Sequence, residues 1–132
     1  MAAKLTASEP IVTVRNVSMS FKQVEALRDI SMEVAAGSIF GLVGSDGAGK
    51  STLLRLIATM IKPSHGEIYV DGFNVAAERR KVKNIIGYMP QRFGLYQDLT
   101  VEENMEFFMD IFNIPRPERK IRKEKYLGFS NL

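Results

Sequence analysis

The run Gly44-Ser45-Asp46-Gly47-Ala48-Gly49-Lys50-Ser51 restricts this chain more than any other stretch. It has the form Gly-x-x-x-x-Gly-Lys-Ser. An apolar run, Ile39-Phe40-Gly41-Leu42-Val43, precedes it, and Leu53, Leu54, Ile57 and Ile61 recur at helical spacing after it. Chance places the pattern in roughly half a per cent of chains this long. A strand before it and a helix after it give the match its meaning. The physical demand is a chain that curls tightly enough to ring an anion with backbone N–H groups. Gly44, Gly47 and Gly49 have no Cβ and permit positive φ and close approach. A helix opening near Lys50 aims its unpaired N–H groups and positive dipole end at the same point. The run therefore predicts a phosphate-binding loop.

Periodicity organises the rest. Residues 11–21 alternate and are rich in Ile, Val and Met, which predicts a strand; residues 30–34 predict a second with one wet face. Residues 35–38 form a turn. Residues 39–43, nearly continuous in apolar character, predict a central strand buried on both faces of a parallel sheet. A helix is expected over 50–61, broken by Lys62-Pro63-Ser64-His65-Gly66. A strand follows at 67–70 and closes at the turn signal Asp71-Gly72. A short helix is expected over 76–83 and a strand over 84–89. Thr100 with Glu103 forms a capping box, opening a helix with Val101, Met105, Phe108, Met109 and Phe112 on one stripe. Pro115 and Pro117 end it, and a highly charged helix covers 118–126. The expected organisation is a loose tail at 1–10, a partial nucleotide-binding core at 11–98, and the beginning of a helical subdomain at 99–132.

Composition excludes some chemistry. The 132 residues contain no Cys, so thiolate metal sites and disulfides are absent. No apolar run approaches the ~20 residues that span a bilayer, and the first residues lack a signal peptide's apolar stretch. The net charge is +3. Basic residues cluster at Arg79-Arg80-Lys81-Val82-Lys83 and from Arg116 to Lys125. Clusters of this kind can serve nucleic acid or anionic lipid. Glu118 and Glu124 interleave and no aromatic pattern accompanies the charge, so a solvated helix face is the expected role and nucleic acid is not an expected partner.

The loop's chemistry points to MgATP. Lys50 brings a mobile ammonium to the β- and γ-phosphates, Ser51 offers a hydroxyl to Mg2+, and Thr52 can reach the α-phosphate. The backbone of Gly44, Ser45, Asp46, Gly47, Ala48 and Gly49 supplies the cradle.

These residues carry a family resemblance. The runs Val17-Ser18-Met19-Ser20-Phe21, Ala26-Leu27-Arg28-Asp29-Ile30-Ser31, residues 41–54, Pro63-Ser64-His65-Gly66-Glu67-Ile68 and Gly87-Tyr88-Met89-Pro90-Gln91 resemble the start of an ABC transporter ATP-binding subunit. The likeness covers about residues 11–130 and about the first half of the family's domain. It implies an α/β fold: the P-loop NTPase core of ABC ATPase type, with an N-terminal antiparallel β part, a P-loop strand–helix unit and the start of the helical subdomain, truncated. It also implies that Phe21 stacks on adenine and that Gln91 is the Q-loop glutamine, acting with Lys50 in catalysis and with Ser51 at Mg2+. Asp46 stands where the family commonly has Asn, and is expected to face solvent or a partner subunit. His65, the only His, is expected in a surface loop. The Met- and Phe-rich helix after Thr100 resembles the family's docking element for a membrane-domain helix, although core packing explains most of its stripe.

The resemblance implies further groups absent from these residues: an acidic strand end for Mg2+, a neighbouring glutamate, a Leu-Ser-Gly-Gly signature and a late His. Val70-Asp71 mimics the strand end, but Gly72 follows and the position suits a turn. The expectation is a fragment that binds nucleotide weakly without hydrolysing it, and that self-associates through open apolar edges. In the intact protein, ATP hydrolysis would drive substrate movement across a membrane. That action requires a transmembrane permease subunit and a second ATP-binding subunit, at the cytoplasmic face of the inner or plasma membrane, with small-molecule or drug export the nearest likeness. The alternatives are a soluble ABC-type ATPase acting on nucleic acid or ribosomes, and an inactive folded fragment.

Overall fold

The computed structural model describes residues 10–91 and 94–130. The expected tail thus lies outside the described residues, apart from Pro10. Contacts divide the chain into two compact units, Met1–Tyr88 and Met89–Leu132.

In the first unit, β1 (Pro10–Phe21), β2 (Val24–Ala35), β3 (His65–Val70) and β4 (Phe73–Asn74) form one antiparallel sheet in the order β2-β1-β3-β4. Its apolar face is kept in phase by two irregularities. Val12 and Val14 face inward at even positions, whereas Val17 and Met19 do so at odd ones. The switch falls at Asn16, whose φ is 48° and where the pairing register shifts. On β2 the inward set changes from Leu27 to Ile30 and Met32 across Asp29, φ 47°. A side chain added to one strand flips every later residue unless a bulge absorbs it. The two bulges are stitched together: Asn16 Nδ2 donates to Asp29 Oδ1 at 2.9 Å, the Asn16 amide to Ser31 Oγ at 2.9 Å, and the Asp29 amide to Ser18 Oγ at 2.9 Å.

β3 and β4 turn through Asp71 and Gly72, both at positive φ (50° and 76°), as a two-residue hairpin requires. Asp71 is therefore a turn residue. His65 is exposed, and is the first residue of β3 rather than a loop residue.

Helix α1 (Lys50–Ile57) packs Leu53 and Leu56 into the core with Val14, Val17, Ile68 and Val75. Leu54, expected on that stripe, is half exposed. α2 (Arg79–Ile85) contributes Val82. α1 stops before the expected Ile61 because the chain reverses in a Schellman pattern. The Thr59 amide donates to the Leu56 carbonyl at 3.0 Å, and the Met60 amide to the Arg55 carbonyl at 2.9 Å. The left-handed residue in such a cap is usually Gly; here it is Thr59, φ 60°. It is fully buried, its carbonyl accepts from Arg79 Nη2 at 2.7 Å, and its hydroxyl has no partner.

Two expected strands are absent. Residues 39–43 pair with no described strand, and Ile39 and Val43 are fully exposed. The apolar pattern is that of a strand flanked on both sides, but none of the strands β1–β4 runs beside it. It is not the buried central strand that its composition predicts. Residues 84–89 likewise form no strand: α2 takes Asn84 and Ile85, and the rest is irregular.

In the second unit, α3 (Val101–Ile111) opens with the full capping box. The Glu103 amide donates to Thr100 Oγ1 at 3.2 Å, and the Thr100 amide donates to Glu103 Oε2 at 2.8 Å. The Thr100 backbone N–H, then its hydroxyl, hold the Glu103 carboxyl below the usual carboxylate range. Of the expected stripe, Met109 is buried, Met105 and Phe108 are half buried, and Val101 and Phe112 are exposed. α4 (Arg116–Ser130) begins earlier than expected, with Pro117 inside its first turn, where a missing N–H is harmless.

Thr59→Gly is expected to raise stability by about 1 kcal/mol, because it removes a β-branched left-handed residue and an unpaired buried hydroxyl. Urea unfolding measures it; an unchanged or lower midpoint would show that the Thr59 side chain contributes more by packing than its backbone costs.

Candidate functional site

The loop at residues 44–51 starts on the exposed segment 39–43 and ends on α1. A turn closes within it, the Ala48 amide donating to the Ser45 carbonyl at 3.2 Å. Gly47 and Gly49 adopt positive φ (81° and 87°); Gly44 does not. A Cβ on Gly44 would meet Ala48 Cβ at an ordinary 3.5 Å, so its lack of a side chain is not forced by local backbone geometry. Gly49 differs. A Cβ there would stand 2.5 Å from the Ala26 carbonyl oxygen and 2.6 Å from Leu27 Cδ2. The end of the loop is thus pressed against β2. Sequence reasoning did not anticipate Ala26 and Leu27 as its floor, and a short apolar pair in a strand carries no signal of that role.

Gly49 is also the N-cap of α1, with no side-chain cap and no acid in the first turn. The N–H groups that open a helix have no intrahelical partners, so this end presents donors and a positive dipole end. Lys50 folds back over the loop. Its Nζ donates to the Gly44 carbonyl at 2.7 Å and to the Ser45 carbonyl at 2.6 Å. The ammonium thus sits inside the curl that the sequence assigns to phosphate. Ser51 is exposed, Thr52 is half buried, and Asp46 and Ser45 are exposed.

Phe21 ends β1 beside the hairpin turn, paired with Val24, its ring half exposed. Val24 lies two residues, or roughly 7 Å of strand, from the Ala26 that underlies Gly49. An accessible aromatic face therefore lies on the hairpin that supports the loop. Gln91 belongs to the second unit and is exposed.

The arrangement fits a phosphate group: a glycine cradle that a Cβ would disrupt, an uncapped helix end and a mobile ammonium. Among the described residues no cluster of three or more His, Asp or Glu could hold a metal ion. A magnesium ion would arrive with phosphate oxygens as its main ligands, and Ser51 would add a hydroxyl.

A second polar feature escaped sequence reasoning. Asn104, buried on α3, accepts from the Tyr96 amide at 2.9 Å, and the two N–H groups of its Nδ2 are shared among the carbonyls of Tyr96, Leu99 and Thr100 at 3.0–3.1 Å. It fixes the turn before α3, where Tyr96 stacks edge-on against Phe107 at 4.7 Å.

Comparison with known proteins agrees with this geometry. Residues 27–130 match the family model described as ABC transporter. The probable multidrug ABC transporter ATP-binding protein YbhF of Escherichia coli (strain K12) is 35% identical over 127 residues, 95% of this chain and 22% of that protein. The methionine import ATP-binding protein MetN of Thermobifida fusca is 43% identical over 115 residues, 84% of this chain and 36% of that protein. This chain therefore spans well under half of either relative. Among solved structures, the dimeric ATP-binding cassette MJ0796, in a post-hydrolysis state with ADP and Pi, superposes with a TM-score of 0.76 at 29% identity. That match covers 92% of this chain and 57% of the cassette. The fold is thus the N-terminal part of the ABC ATPase fold.

Gly49→Ala is expected to cost about 2–3 kcal/mol in urea unfolding, since the new methyl meets backbone that cannot rotate away. Gly47→Ala, with the same sign of φ but open space around it, should lose only about 1 kcal/mol. Equal losses would mean that the seat on β2 does not constrain the loop.

Proposed function

The chain belongs to the ABC transporter family, and from that premise we propose that it binds MgATP at residues 44–51 as the ATP-binding part of a transporter. The observation that carries this reading is the Lys50 ammonium held by the Gly44 and Ser45 carbonyls above an uncapped helix end. A triphosphate would draw the ammonium off these carbonyls and meet the free amides of the loop and α1. Bound ATP supplies the phosphoanhydride whose hydrolysis drives transport, and Mg2+ spreads its charge. The chain's own residues position it. The backbone of residues 44–49 rings the phosphates, Lys50 neutralises charge, and the Ser51 and Thr52 hydroxyls reach the metal and the α-phosphate. Phe21 offers a ring face for the adenine, and Gln91 is assigned, on the family resemblance alone, as the Q-loop glutamine.

Residues 11–98 are taken as the nucleotide-binding part and 99–132 as the start of the helical part. The proposed partners are a transmembrane subunit and a second ATP-binding unit, in line with the dimeric form of MJ0796. The proposed location is the cytoplasmic face of the membrane; no helix among the described residues is long and apolar enough to cross it. Small-molecule export leans on YbhF, described as a probable multidrug transporter protein. MetN, described as a methionine import protein, is 43% identical over 115 residues, so relatives described as multidrug and as import proteins both match this chain.

Titration of a fluorescent ATP analogue in the presence of magnesium tests the proposal. Binding that unlabelled ATP displaces, and that Lys50→Ala weakens roughly tenfold or more with an unchanged circular dichroism spectrum, is the expected result. A folded protein that ignores the nucleotide would refute it.

A further inference from the structure

Helix α4 contributes no buried residue, yet two of its basic side chains are largely covered: Arg119 is 16% exposed and Lys123 18%. They lie one turn apart and meet acids spaced one turn apart on α3. Lys123 Nζ is 2.8 Å from Glu102 Oε1 and 2.5 Å from Glu106 Oε1. Arg119 Nη1 is 3.0 Å from Glu106 Oε2 and 2.7 Å from Asp110 Oδ1, and its Nε donates to the Ile114 carbonyl at 2.9 Å. Glu106 stands at the centre and gives one oxygen to each cation. Lys123, then Arg119, hold its carboxyl below the usual carboxylate range.

The spacing matters. Positions four apart share a helix face, so α3 offers an acidic stripe of three residues and α4 two basic ones, each of which bridges two neighbouring acids. An apolar hollow is formed by Met105, Phe108 and Met109 of α3 with Phe112 and Ile114 just after it, and is bordered from α4 by Arg122 and Tyr126. Helix–helix contacts are ordinarily held by interlocking apolar side chains. α4 itself brings no buried apolar side chain to this contact, whereas its Arg119 and Lys123 are largely covered, and an ion-paired junction weakens as salt screens it.

We propose that α4 is a strap fastened to α3 by charge, which concentrated salt or loss of the Glu106 carboxylate releases to uncover the apolar face of α3. The device is independent of the nucleotide site and acts within the second unit. Released, α4 should also lose order, because a single helix of this length is marginal in water.

Hydrogen exchange read by mass spectrometry tests the strap. Between about 0.05 and 0.5 M NaCl, amide exchange in Arg116–Ser130 should accelerate on the order of tenfold, while β1 and β3 stay protected. Glu106→Gln at low salt should reproduce that acceleration and raise the fluorescence of an anilinonaphthalene sulfonate dye. Lys123→Glu should do the same, and pairing it with Glu102→Lys should restore part of the protection, which a merely disrupted helix would not show. Tyr126→Ala should change exchange less than Glu106→Gln. The proposal falls if α4 exchange is indifferent to salt and to Glu106→Gln, or if Tyr126→Ala is the more damaging change.

Discussion

Gly49 brings its α-carbon so close to the β1–β2 hairpin that a methyl group in its place would overlap the Ala26 carbonyl oxygen and the Leu27 side chain. Three consequences follow from that one approach. It sets where α1 begins, so that Leu53 and Leu56 reach the core. It leaves the first helical N–H groups facing the loop instead of a capping side chain. It also places Lys50 one residue beyond, from where the side chain returns to the Gly44 and Ser45 carbonyls. The proposed phosphate cradle is thus a by-product of how α1 is seated on the sheet. A helix that began a residue earlier or later would turn both the donors and the ammonium away.

The sheet that provides this seat depends on two phase corrections. Without the left-handed residues Asn16 and Asp29, the valines and leucine of β1 and β2 could not all face α1. Both are residue types that tolerate positive φ through short polar side chains, and each is tied to the neighbouring strand by a hydrogen bond. The second unit coheres differently. Its capping box and Asn104 fix the approach to α3, whereas α4 is joined through Arg119 and Lys123 to the acids of α3. One unit is held by an apolar core, and the junction in the other by charge.

Local chemistry was legible in the sequence wherever a residue type alone determined the outcome. The glycine run, the Asp71-Gly72 hairpin, the Thr100–Glu103 box and the strand β1 all stand in the structure, although the alternation of β1 changes phase at Asn16. What stayed hidden depends on neighbours distant in sequence. Residues 39–43 read as a central strand because their apolar character is right for one, but a strand exists only where another runs beside it, and none of the described strands does. The end of α1 was misjudged because Thr59 in a left-handed cap contradicts residue preference, and only the reversal to Met60 and the Arg79 bond explain it. Gly44 matched the expected pattern without needing the freedom that glycine gives. Asn104 carries no sequence signal of its role, because its partners are backbone groups of the turn before α3.

The account rests on backbone amides at the start of α1 closing on phosphate. Amide NMR of isotopically labelled protein, titrated with MgATP, tests that most directly. The account predicts that the largest shifts fall on Gly47, Ala48, Gly49, Lys50, Ser51 and Thr52, with small changes along β3. Shifts that leave those six amides unmoved while others respond would contradict it.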